Sequence, residues 1–243
     1  HTHYCSLAGS YQPWRSGTIM RVAVLSSGGK DSAMAWWWAQ CKGWDVIALV
    51  TVFVQGDDSH MFQIPTVDVV EHQAEISGIP WITVQTSGQS HEDMVDLHHA
   101  LNPLEIDGLV CGALRSDYQR TRLERLCHDL EIHSFTPLWH QDAGEHVKQM
   151  IENGFKIVLS GVACEGLGEE WLGKELDLVS FDELKSLSEK YRFNIDGEGG
   201  EYETVVVGGP HLNGVIELEM DKLFDGKRGH IRIQKYTQKV HVP

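Results

Sequence analysis

Apolar and polar positions in this 243-residue chain alternate between strand-length runs and helix-length amphipathic stretches. Val22 to Leu25 is a short apolar run stopped by small polar residues, the pattern of a buried strand. Asp31 and Ser32 suit the first turn of a helix that continues through Ala33, Met34, Ala35 and Trp36. Asp45 to Phe53 is almost continuously apolar, as in the interior of a parallel sheet. A polar loop, Gln55 to Ser59, leads to a helix around Thr66 to Ser77, closed by Gly78 and Pro80. Trp81 to Val84 then reads as strand, His91 to Leu101 as helix, Gly108 to Cys111 as strand and Asp117 to Leu130 as a charged helix. Phe135 begins a short strand ended by Pro137. This alternation predicts an α/β fold, a doubly wound parallel sheet with ligands at the carboxyl ends of its strands.

From about Asp142 the texture changes. A helix to Asn153 precedes the apolar strand Lys156 to Val162, and another helix covers Phe181 to Tyr191. Gly-rich turns and short alternating strands follow, Gly229 to Tyr236 among them. The expected division is residues 20–139 as a nucleotide-type domain and 140–243 as a smaller C-terminal α+β subdomain. Residues 1–19 read as a leader outside the fold: they lack the continuous apolar core of a secretory signal, and Met20 directly precedes the first strand.

Composition narrows the function. Thirty-five acidic against twenty basic residues give a formal charge of −15, which disfavours broad contact with nucleic acid. No apolar run approaches the ~18 residues that cross a bilayer. The five cysteines, Cys5, Cys41, Cys111, Cys127 and Cys164, form no C-x-x-C pair or zinc spacing, which fits free thiols in a reducing, cytoplasmic setting. The fourteen histidines show no ligand pattern and read as surface residues. Trp36, Trp37 and Trp38 point in different directions on a helix, so one ring is expected in the core and one exposed.

Three stretches carry chemistry. Ser26-Ser27-Gly28-Gly29-Lys30-Asp31-Ser32 lies between the first strand and its helix. Its glycines admit positive φ and close approach, and free N–H groups with the Lys30 ammonium make a phosphate cradle. It is not G-x-x-x-x-G-K-[ST], because Asp31 follows the lysine. Gly112 and Ala113 follow another strand, with Gln119 and Arg120 the better binding candidates on the next helix; Arg122, Glu124 and Arg125 read equally well as a solvated face. Glu198-Gly199-Gly200-Glu201-Tyr202-Glu203-Thr204 packs three carboxylates around two glycines. Strand alternation puts Glu201 and Glu203 on one face, Tyr202 and Thr204 on the other. Paired like charges suit a metal, a cation or a polar substrate; the plainer reading is an acidic hairpin. Glu165 to Gly173, including Trp171, suits a substrate-facing lid or an ordinary loop, and Met61-Phe62-Gln63 fits either an adenine contact or the core.

Ser27 to Ser32 resembles the PP-loop of the ATP pyrophosphatases, which split ATP between the α and β phosphates. Together with Gly112 to Glu124, Pro137-Leu138-Trp139, Gly161 to Gly173 and Glu198 to Thr204, it resembles the diphthine–ammonia ligase family, a branch of that superfamily with an adenine nucleotide alpha hydrolase-like fold. The resemblance implies an AMP-forming ligation of ammonia to the carboxylate of diphthine on translation elongation factor 2, with ATP and magnesium. It implies that Ser26, Ser27, Gly28, Gly29, Lys30, Asp31 and Ser32 bind ATP, with Gly112, Ala113, Gln119 and Arg120. Lys30, Asp31, Glu201 and Glu203 would be catalytic, with Asp31 a magnesium ligand. Glu198, Gly199, Gly200, Glu201, Tyr202, Glu203, Thr204 and Trp171 would hold substrate, Tyr202 or Trp171 by cation–π contact. No direct nucleic acid or membrane partner is expected, and a homodimer is left open. The rival readings are a PP-loop enzyme that modifies tRNA and a non-catalytic adenylate-binding module.

Overall fold

The computed structural model describes residues 19–54, 67–86 and 90–240. The leader at residues 1–18, the polar loop at 55–59 and Met61 to Gln63 therefore lie outside the described residues. Strands β1 (Arg21–Leu25), β2 (Asp45–Val54), β3 (Trp81–Thr86), β4 (Gly108–Val110) and β5 (His133–Phe135) form one parallel sheet in the order β3-β2-β1-β4-β5. Helices α1 (Lys30–Cys41), α2 (Val69–Ser77), α3 (Ser90–Leu101) and α4 (Asp117–Asp129) connect them.

The two faces of the sheet bury different sets of residues because side chains alternate along a strand. Val22 and Val24 join Trp36, Val69 and Val70 on the face covered by α1 and α2. Ala23, Ala48 and Val50 join Leu97, Leu101, Leu123 and Leu126 on the face covered by α3 and α4. The expected doubly wound sheet is thus present, and β1, where the strand order reverses, lies at its centre.

The C-terminal half differs from a set of short strands. After α5 (Glu145–Glu152), β6 (Lys156–Val162), β7 (Tyr202–Gly208), β8 (Gly214–Phe224) and β9 (Gly229–Val240) close into a four-stranded antiparallel barrel, with α6 (Leu178–Tyr191) between β6 and β7. β8 and β9 pair along their whole length, from Gly214↔Val240 to Phe224↔Gly229. Many of their side chains are only half-buried, so the apolar signal that marks a strand in sequence is diluted.

Helix α1 joins the two halves. It is apolar nearly all round because both sides are covered, and its buried residues belong to one cluster with Phe155, Ile157, Val206 and Ile216 of the barrel half. None of the three tryptophans is the exposed ring expected. Trp36 is buried, Trp37 packs edge-on against Phe155 at 5.4 Å, and Trp38 packs against Trp44 at 5.1 Å. The segment expected as a lid is also core: Leu167, Trp171 and Leu172 are buried around a 3₁₀ turn, Glu169–Trp171, and Gly173 N–H donates to Leu159 O at 2.8 Å. Trp171, 1% exposed with the Lys174 ammonium 4.1 Å from its ring centroid, is not available to a substrate. Among the described residues, no helix is long and apolar enough to cross a membrane.

Candidate active site

The chain leaves β1 through Ser26, whose N–H donates to Val50 O at 2.9 Å, and turns at Gly28 with φ +82°. That left-handed conformation is the reason for a glycine there. The turn is closed internally: Gly28 N–H donates to Ser26 Oγ at 3.3 Å, and Ser32 Oγ–H donates to Gly29 O at 3.1 Å. Helix α1 then starts at Lys30 with its positive end at the loop.

The loop does not stand alone on the sheet. Lys30 N–H donates to Thr204 Oγ1 at 3.1 Å, and Val206 N–H donates to Gly28 O at 2.9 Å. Gln73, buried on α2, donates to both Gly28 O and Val206 O, at 3.3 and 2.7 Å. Strand β7 therefore holds the loop in shape. A Cβ on Gly29 would sit 3.1 Å from Thr204 O, and one on Gly112 would sit 2.5 Å from the carbonyl carbon and oxygen of Asp31. Gly112 is needed so that the end of β4 can approach the first turn of α1.

A buried line of charges runs behind the loop. The Lys30 ammonium lies 2.8 Å from Asp31 Oδ2 and 5.6 Å from the centroid of the Tyr202 ring. Asp31 Oδ1 lies 2.8 Å from His146 Nε2; the carboxylate can only accept, so this nitrogen carries the proton. His146 is fully buried, and its Nδ1 lies 3.6 Å from Asp196 Oδ1. Asp196, also fully buried, accepts from Gly144 N–H at 2.5 Å and from Arg115 Nη1 at 2.6 Å. Burial works to raise the Asp31 pKa, but the Lys30 ammonium and the His146 hydrogen bond outweigh it and hold the carboxyl below its usual range.

Arg115, His146 and Asp196 were missed as site residues in the sequence. The expectation that histidines are surface residues fails at His146 and at His211, which is 2% exposed between Trp36 and Phe155. No local signal marks this chain of contacts, because Asp31 and His146 are 115 positions apart.

In front of the loop lies a cleft of about 480 Å³ at the carboxyl ends of β1, β2 and β4. Ser26, Ser27, Asp31, Ser32, Gly112, Ala113, Gln119 and Glu198 all line it, so stretches from three parts of the chain meet there. Val52, Met94 and Leu97 provide an apolar wall. The Glu198 pKa is raised by partial desolvation and by the Asp31 charge. Burial pushes the Cys111 thiol up, so it lines the cleft as a neutral group.

Other expected site residues have different work. Arg120 does not line the cleft; it donates to Glu124 Oε1 at 2.7 Å and lies over the Trp139 ring. Its helix neighbour Arg122 lines the cleft instead, because the α-helical period turns the two side chains to different faces. Glu201 is tied into the Gly-rich turn, accepting from Asn194 N–H at 3.1 Å and Gly199 N–H at 2.7 Å, while Gly200 takes a positive φ. It does not share a substrate face with Glu203, which pairs with Gly161 on β6, away from the cleft lining. Tyr202 is 3% exposed and donates its hydroxyl to Ile195 O at 2.5 Å, so its ring serves Lys30 rather than a ligand.

Asp31 makes a poor metal ligand in this arrangement, since both its oxygens already accept hydrogen bonds. Among the described residues no group of three His, Cys, Asp or Glu side chains is placed to hold a metal ion.

Comparison with known sequences agrees with this geometry. A sequence model described as the diphthamide synthase N-terminal domain matches residues 20–134, and one described as the diphthamide synthase C-terminal domain matches residues 142–239. A Danio rerio protein named diphthine–ammonia ligase is 35% identical over 213 residues, 79% of this chain and 83% of that protein. The Homo sapiens protein of the same name is 32% identical over 214 residues, covering 79% and 80%. A Schizosaccharomyces pombe protein, again so named, is 31% identical over 232 residues; the match spans 87% of this chain but 38% of that longer protein.

Proposed function

The chain belongs to the diphthamide synthase family, and from that premise we propose that it is an ATP-dependent ligase joining ammonia to the carboxylate of diphthine, with ATP split to AMP and pyrophosphate. The observation that carries the reading is the cleft itself. A glycine loop and helix start on one wall, Gly112 and Ala113 beside it and Glu198 facing in give one chamber with an anion-binding end and an acidic side.

The chemistry follows from the reactants. A carboxylate resists attack by ammonia, so its oxygen first displaces pyrophosphate from the α-phosphorus and forms an acyl-adenylate. Ammonia then attacks the acyl carbon, loses a proton and expels AMP. The protein's share is positioning and charge stabilisation. The loop N–H groups, Ser27, Ser32 and the start of α1 receive the pyrophosphate, and Lys30 adds its charge from beneath. Glu198 attracts the trimethylammonium of diphthine, and its raised pKa reflects a carboxylate that lacks a counter-charge of its own. The substrate-bearing protein is elongation factor 2, which places the enzyme in the cytoplasm. Magnesium enters as a counter-ion of the triphosphate with Asp31 as the loop's carboxylate; no step is routed through it.

One assay tests the proposal: AMP and pyrophosphate release by the full chain with ammonia, with and without diphthine-bearing elongation factor 2. Stoichiometric AMP and amide, dependent on the factor, is the expected result. ATP cleavage to ADP, or AMP release without amide formation on the factor, would refute it.

A further inference from the structure

We infer that Arg122 is the binding residue for the α-phosphoryl group, the phosphate that stays with the nucleoside when pyrophosphate leaves. The inference rests on the nucleotide reading of the cleft and adds a residue on its opposite wall.

Arg122 lies one turn into α4 and lines the cleft together with Ser26, Ser27, Ser32 and Gly112. Tyr118, one helical turn earlier, holds it from one side: Nη1 donates to the Tyr118 hydroxyl at 2.7 Å, and the guanidinium carbon lies 5.0 Å from the ring centroid. Nη2 is shut off from solvent and has no hydrogen-bond partner among the described residues. A guanidinium is charged at any working pH, and a buried charged donor without an acceptor is costly to the fold. Such an orphan in a cleft wall calls for an acceptor that arrives with the ligand. The acceptor that best matches a charged fork is an anionic oxygen pair.

The division of the cleft selects which anion. Lys30 and the start of α1 stand on the β1 side, where the leaving pyrophosphate is received. Arg122 comes from α4, the helix after β4, beside Gly112 and Ala113. It therefore faces the part of the triphosphate nearer the nucleoside. Charge on the non-bridging oxygens of the α-phosphorus is compensated there through displacement and afterwards in the adenylate. Arg120, the residue that sequence spacing favoured, is spent on Glu124 and Trp139.

The test is calorimetric binding of AMP, adenosine and pyrophosphate to the full chain, to Arg122→Gln and to Arg122→Lys. Arg122→Gln should lose about tenfold to a hundredfold in AMP affinity, the loss of a charge-assisted hydrogen bond. Arg122→Lys should lose less, and pyrophosphate and adenosine affinities should hold in both. Retained pyrophosphate affinity and an unchanged melting temperature certify the fold. Unchanged AMP affinity would overturn the assignment, as would an equal loss for adenosine, which would put Arg122 at the ribose or base. A native chain that bound none of the three probes would instead overturn the nucleotide reading itself.

Discussion

Around the cleft, the parallel sheet supplies runs of consecutive backbone, Ser26 to Ser32 after β1 and Cys111 to Ala113 after β4. The barrel half supplies single side chains set far apart: Thr204 under Lys30 N–H, Tyr202 under its ammonium, Asp196 behind His146, Glu198 at the wall. The sheet half makes the surface that a ligand meets, and the barrel half fixes the shape and charge of that surface. A motif dense in carboxylates can therefore be mostly scaffold, with one member facing the ligand.

This contrast can be broken at several points, the strongest being the barrel's charged anchor. Asp196→Ala removes the partner of Arg115 and the acceptor of Gly144 N–H, both in buried positions. Loss of one partner of a buried pair costs about 3–5 kcal/mol, so the midpoint in urea should fall steeply. A midpoint close to that of the native chain would show that the charge line is dispensable.

Lys30→Ala acts on the sheet side and should spare the fold while reducing AMP formation by roughly a hundredfold to a thousandfold, the usual worth of one stabilising group. Steady-state pyrophosphate release measures it, and a loss confined to KM would mean that Lys30 only binds ATP.

Acid should separate the halves next. Burial lowers the pKa of His211 from 6.5 to about 3, so it stays neutral in the folded chain while the unfolded chain takes up a proton. Stability from this source is full above pH 6.5 and declines as pH falls toward 3, by up to about 1.4 kcal/mol per pH unit. Asp31 works in a lower window: its pKa lies below 3.8, so its contribution stands above that value and is lost only at lower pH. His211→Phe should flatten the stability curve between pH 6.5 and 4, measured by thermal melts; an unchanged slope would remove His211 as the cause.

Thr204→Val takes one acceptor from Lys30 N–H and should cost about 1 kcal/mol, seen as a weaker affinity for pyrophosphate with the barrel intact. Smallest of all, Glu201→Gln keeps an acceptor for Asn194 and Gly199 and should change stability by less than about 1 kcal/mol, with little change in ligation. A large loss of ligation at that position would return Glu201 to the chemistry.

What the sequence determined by itself is what depends on neighbours along the chain. The five-stranded parallel sheet was legible because strands buried on both faces read as apolar runs and helices between them carry their own start and stop residues. The loop from Ser26 to Ser32 was legible because a strand end, a positive-φ glycine and a helix start are all local. Only the tertiary structure decided what Glu198 to Thr204 does, since alternation separates the faces of β7 without saying which face meets Lys30. It also decided that β8 and β9 close a barrel, that Trp171 is core, and that Arg122 rather than Arg120 lines the cleft. The line from Lys30 through Asp31 and His146 to Asp196 joins residues brought together by packing alone, and packing between distant segments leaves no period in the sequence to read.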